Sequence, residues 1–111
     1  KSIEAVKEVN SNSDSVEIID LRTLNPLDKD AIGTSLEKTG KALIVYEDNI
    51  TNGPGAEISA IISHDYFEML DGPIQRVAAK DVPVPFNWYL EEKVLPQTSD
   101  IVSAITELME Y

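Results

Sequence analysis

Residues 42–58 constrain this chain most. An apolar, β-prone run, Ala42-Leu43-Ile44-Val45-Tyr46, stops at two acids, Glu47-Asp48. Asn49-Ile50-Thr51-Asn52-Gly53-Pro54-Gly55 follows, and a helical apolar pattern begins at Ala56-Glu57-Ile58. This is the signature of a strand–loop–helix unit of an α/β protein, with its loop at the carboxyl end of a strand, where such folds place ligands. The glycines admit backbone angles that a Cβ would block. Pro54 suits the first helical turn, where its missing N–H costs nothing.

The same alternation extends along the chain. Ile3, Val6 and Val9 lie three apart, as on a short helix. Asn10-Ser11-Asn12-Ser13-Asp14 is expected to be a loop, and Val16-Glu17-Ile18-Ile19-Asp20 a strand. Asp28 is the expected N-cap of a helix from about Lys29 to Thr39, with Ile32 and Leu36 inward and Gly40 as its C-terminal cap. Gly33 is a misfit inside that helix, costing about 1 kcal/mol against alanine. The unbroken apolar character of Ala42 to Tyr46 predicts a central strand covered on both faces. A helix is expected from about Ala56 to Leu70, a turn at Asp71-Gly72-Pro73, and a strand nearer an edge at Ile74 to Ala78. The prolines of Asp81-Val82-Pro83-Val84-Pro85-Phe86 exclude helix there. A last helix spans about Ser99 to Glu110, with Ile101, Val102, Ile105, Leu108 and Met109 on one face. Together these predict one domain over residues 1–111 with a mostly parallel sheet between helices, a three-layer α/β/α fold. Three strands make a small sheet, and the chain opens on a helix with no strand before it. A first strand upstream of Lys1 is therefore expected to be missing, and the chain reads as a fragment of something longer.

Charge narrows the partners. A formal net charge of −11 disfavours nucleic acid and anionic membranes, and favours a basic protein surface. The absence of cysteine excludes disulfides, thiolate metal sites and a cysteine nucleophile. No apolar run approaches the roughly 20 residues that span a bilayer.

Few residues promise chemistry. Glu47 and Asp48 could bind a metal or act as bases at their strand end; solvation, or pairing with an arginine, is the commoner use of such acids. Gly53-Pro54-Gly55 could cradle a phosphate at a helix N-terminus, but a full dinucleotide fingerprint and a P-loop lysine are both lacking, and Glu57 sits in the first turn. His64, the single histidine, is expected at the surface. Trp88 and Tyr89 are expected as core or interface anchors. Asp20, Glu47 and Asp48 with Lys80 suggest a phospho-acceptor receiver, but the strand count is too low for one.

The longer motifs are specific. Asp20-Leu21-Arg22-Thr23-Leu24-Asn25-Pro26-Leu27-Asp28, Gly53-Pro54-Gly55-Ala56-Glu57-Ile58, Leu70-Asp71-Gly72-Pro73-Ile74-Gln75-Arg76-Val77 and Asp81-Val82-Pro83-Val84-Pro85-Phe86 stand in order. This series resembles transketolase-type C-terminal domains, and more narrowly the β subunit of the E1 component of 2-oxo acid dehydrogenases. Leu95-Pro96 before the last helix also matches. Tyr46 stands where that family frequently has histidine, and Ala79-Lys80 departs from its common Gly or Thr.

The resemblance implies a parent oxidoreductase that decarboxylates a 2-oxo acid, pyruvate or a branched-chain one, on thiamine diphosphate with magnesium, and passes the acyl group to an E2 core. It implies no catalytic, cofactor or metal residue in this chain, which would be inactive alone. Its roles would be contact with E1 α and β regions and docking of the E2 subunit-binding domain. Candidate docking residues are Glu68, Asp71 and Tyr111. The compartment would be the bacterial cytoplasm, or the mitochondrial matrix in a eukaryote. The alternative is a stand-alone flavodoxin-like binding module with its ligand loop at Glu47 to Gly55.

Overall fold

The computed structural model describes residues 1–9 and 16–111. The loop expected at Asn10 to Asp14 lies outside the described residues. In chain order the elements are helix α1 (Ser2–Val9), helix α2 (Lys29–Thr39), strand β1 (Leu43–Asn49), helix α3 (Pro54–Asp65), a 3-10 turn (Phe67–Met69), strand β2 (Gln75–Ala79), helix α4 (Trp88–Val94) and helix α5 (Thr98–Met109). β1 and β2 pair in parallel, Leu43 beside Gln75, Ile44 beside Arg76 and Val45 beside Val77, with an irregularity before Asn49 meets Ala79.

The pleat of β1 sorts its side chains between two cores. Ile44 faces Ile32 and Leu36 of α2 and Ile58 and Ile62 of α3. Leu43 and Val45 face Ala5 of α1 and Ile101 and Ile105 of α5. The three-layer α/β/α plan is thus realised, with α2 and α3 on one face and α1 and α5 on the other. Ile101, 2% exposed, contributes the about 1.5–3 kcal/mol expected of a fully buried isoleucine.

Local chemistry sets the helix ends. The Asp28 carboxylate accepts from the Ala31 N–H at 3.1 Å, and Gly40 closes α2 in the left-handed region at φ 70°, its N–H donating to the Leu36 carbonyl. Pro54 opens α3. Gln97 and Asp100 form a reciprocal capping box at the start of α5. Gly33 has a packing reason: a Cβ there would lie 2.8 Å from Cε1 of Tyr66, whose ring rests on α2 and whose hydroxyl donates to the Lys29 carbonyl.

The structure corrects four expectations. Val16 to Asp20 makes no ladder among the described residues, and the sheet has two strands. A strand is defined by the neighbour it bonds to, and Val16 to Asp20 has no main-chain partner among the described residues. β1 is covered on both faces, as expected, but its first four residues are only half-buried because one edge is open. α3 stops at Asp65 and gives way to the 3-10 turn, since Tyr66 leaves helical geometry to reach α2. α4 follows the proline segment unannounced, its start capped by Asn87, whose side chain accepts from the Tyr89 N–H at 2.9 Å.

Candidate functional site

Two regions gather the polar and apolar residues singled out above. The first is the loop after β1. The Tyr46 ring folds over the start of α3, where a Cβ on Gly55 would meet its Cε1 at 2.0 Å and one on Gly53 its Cε2 at 2.7 Å. The glycines therefore make room for an aromatic ring, and Gly53 also for the Asn49 carbonyl, 2.1 Å from where its Cβ would lie. Tyr46 Oη donates to the Ile50 carbonyl at 3.3 Å and accepts from Arg76 Nη1 at 3.1 Å; Arg76 also donates to the Ile50 carbonyl at 2.6 Å. Thr51 donates through its N–H and its hydroxyl to the Asp81 carboxylate at 3.0 and 2.5 Å. These hydrogen bonds, with Arg76 adding a smaller attraction, hold the Asp81 carboxyl below the usual range. The loop is thus tied to the end of β2 by its own side chains.

Glu47 and Asp48 are exposed at the end of β1. Arg76 pairs with neutral oxygens instead of with them, and the Asp48 carboxylate accepts from the Asn49 N–H at 2.7 Å. Among the described residues no group of three or more His, Cys, Asp or Glu is placed to hold a metal. His64 is exposed, its Nδ1 2.8 Å from Asp65 Oδ1. That contact and the bond from Lys29 lower the Asp65 pKa.

The second region lies at the opposite end of the sheet. The Asp71 N–H donates to the Gly40 carbonyl at 2.7 Å, which sets the Asp71 carboxylate against Gly40. The Tyr111 ring covers Gly72, and Lys41 Nζ donates to the Tyr111 main-chain oxygen at 2.7 Å. Asp71 and Tyr111 therefore meet around Gly40, Lys41 and Gly72. Glu68 stands three residues before Asp71, exposed on the 3-10 turn, with no hydrogen bond to either among the described residues. Lys41 is the member that sequence reasoning missed; it lies 70 positions from Tyr111, and no local pattern marks such a pair.

A further surface is apolar. Val82, Val84, Phe86, Trp88, Tyr89 and Leu90 are all exposed, Phe86 and Trp88 most of all. Trp88 and Tyr89 meet edge to face with centroids 6.1 Å apart, and Lys93 Nζ lies 4.4 Å from the centre of the Tyr89 ring. Both aromatics lie outside the core, which removes the expected core role. No helix among the described residues is long and apolar enough to cross a membrane.

Comparison with known proteins agrees with this architecture. Residues 1–101 match the family model described as the transketolase C-terminal domain. The pyruvate dehydrogenase E1 component subunit beta of Rickettsia felis is 39% identical over 110 residues, covering 99% of this chain and 34% of that one. The acetoin:2,6-dichlorophenolindophenol oxidoreductase subunit beta of Bacillus subtilis is 40% identical over 108 residues, covering 97% and 32%. A mitochondrial pyruvate dehydrogenase E1 subunit beta of Dictyostelium discoideum is 44% identical over 90 residues, covering 81% and 25%. The chain spans about a third of the length of the first two of these relatives.

Proposed function

We propose that this chain, which belongs to the transketolase C-terminal domain family, serves as the C-terminal domain of an E1 component β subunit in a 2-oxo acid dehydrogenase. The β subunits among its relatives support this assignment. The parent enzyme would carry out oxidative decarboxylation of a 2-oxo acid, in the cytoplasm of a bacterium or the mitochondrial matrix of a eukaryote. Thiamine diphosphate, with magnesium, would supply the stabilisation of the carbanion. The residues of this chain do not fit that cofactor. The Tyr46 ring packs against Gly53 and Gly55 of the loop that the sequence offered as a phosphate cradle, and Glu57 adds a negative charge in the first turn of α3. Holding the cofactor would fall to other parts of the parent.

This domain would serve assembly and docking. The exposed apolar arm, Val82 to Leu90, would contact E1 α and β regions. The E2 subunit-binding domain would dock at Glu68, Asp71 and Tyr111. The observation that carries the docking assignment is the meeting of Asp71 and Tyr111 at one end of the sheet, with Glu68 exposed on the preceding turn, on a chain of net charge −11. Such a surface attracts a basic partner, with fast and salt-sensitive association. The stand-alone flavodoxin-like module is not favoured, because the side chains of its ligand loop already bond one another.

Replacing Glu68 and Asp71 with lysine in the full enzyme tests the docking. E2 binding at low salt should fall at least about 100-fold, the scale of two lost or reversed close charge contacts. Decarboxylation with an artificial electron acceptor should stay unchanged. Unaltered E2 affinity would remove this patch from the docking surface.

A further inference from the structure

Lys41 is a cation on the acidic patch at the start of the sheet. Its ammonium donates to the Tyr111 main-chain oxygen at 2.7 Å, a charge-assisted contact across 70 positions. On a surface that attracts a basic partner, a cation by itself weakens the attraction. We propose that Lys41 is a positioning residue of the docking surface: it holds Tyr111 in place beside Gly72 before the partner arrives, so that the E2 component meets an anchor already ordered. The role rests on the docking proposed for Glu68, Asp71 and Tyr111, and it names the residue that prepares that site.

Little else holds Tyr111. Helix α5 ends at Met109. Beyond it the Glu110 N–H donates to the Glu107 carbonyl at 3.3 Å and the Tyr111 N–H to the Leu108 carbonyl at 3.2 Å. Both are bonds of a fraying last turn. The Tyr111 ring is 67% exposed and touches Gly72 with one edge, its nearest carbon 3.4 Å from where a Cβ would lie. Among the described residues, the bond from Lys41 is the one hydrogen bond that ties Tyr111 to a distant part of the chain.

The backbone of Lys41 is itself clamped on both sides. The Gly40 carbonyl before it accepts from the Asp71 N–H at 2.7 Å, and the Ala42 carbonyl after it accepts from the Gln75 N–H at 3.1 Å. Lys41 therefore projects from a base bonded to both ends of the turn that carries Asp71, and one side chain joins the end of α5 to that turn. The Asp71 carboxylate lies against Gly40, in space that any Cβ would take. Among the described residues, no cation lies within 4.0 Å of the Asp71 or Glu68 carboxylates. Lys41 thus directs its charge to a main-chain oxygen and leaves both acids for a partner. Ordering one free side chain at an interface weakens binding about 2- to 12-fold, a loss that an anchor already held avoids. Charge and positioning therefore predict opposite signs for removal of Lys41.

Docking kinetics of the full enzyme with the E2 component, at low salt, test the role. Lys41→Met should release E2 about 5-fold faster while associating no more slowly, because the surface has lost a cation. Lys41→Arg keeps a charged donor and should stay within about 2-fold of the unsubstituted enzyme. Lys41→Gln, a second variant without the charge, should also release E2 faster, and it decides should the methionine variant fail to assemble. Unchanged or tighter binding by the uncharged variants overturns the proposal, since Lys41 would then be a counter-charge alone. Slower association with unchanged release overturns it as well. If Glu68→Lys with Asp71→Lys abolishes docking while the uncharged Lys41 variants bind normally, only the positioning role falls. If that double variant docks at full affinity, the docking surface itself falls, and the role of Lys41 with it.

Discussion

Tyr46 organises its end of the molecule through its ring and its hydroxyl. The ring needs Gly53 and Gly55 to be bare; the hydroxyl joins Arg76 to the Ile50 carbonyl. Gly55→Ala should cost about 1–3 kcal/mol, the range for overpacking a filled site. In the Tyr46→Ala background that cost should shrink by at least about 0.5 kcal/mol, as expected of residues in contact. Urea melts of the four proteins measure it, and an unchanged cost would show that the ring is not the obstacle. Asp81 gives a second residue-scale prediction. Its folded pKa lies below the unfolded value of about 3.9, so its contribution is present above that value and is lost as pH falls through the folded pKa. Thr51→Val removes the larger cause, the hydroxyl bond, and leaves the main-chain one. The Asp81 titration followed by carboxyl NMR should move upward in that variant, and an unmoved titration would contradict the assigned cause.

Helix α2 shows how much of an element is written locally. Both of its ends were legible in the sequence because Asp28 and Gly40 act on their own backbone, within a few residues. Asp28→Ala should lower stability by about 1 kcal/mol while Asp28→Asn costs only a few tenths, since asparagine caps nearly as well. Equal losses in the two variants, read from denaturant midpoints, would point to charge instead of capping. Beyond the caps, legibility fades. Gly33 looks like a flaw until the Tyr66 ring is placed on it. The segment Val16 to Asp20 has strand composition and strand-like alternation without a strand's hydrogen bonds, because a ladder needs a neighbour. α4 escaped notice since the prolines before it hide the Asn87 cap.

Across the whole molecule, charge and exposed apolar surface point to partners. Trp88 is the only tryptophan and is 70% exposed, so it reports directly on the Val82 to Leu90 arm. Its emission should be that of a solvated indole in the isolated chain and should shift to the blue when the chain is part of the assembled enzyme. An unshifted emission would place the arm outside any interface. The sequence by itself determined α1, α2, β1, β2 and the last helix, both caps of α2, the acidic surface and the ordered motifs of the family, since each rests on neighbours in the chain or on composition alone. Only the tertiary structure decided that the glycine loop encloses Tyr46, that Asp71 and Tyr111 meet beside Lys41, and that an open slot lies beside β1. Those three facts join residues up to 70 positions apart or concern space between elements, and packing, not local preference, sets such distances.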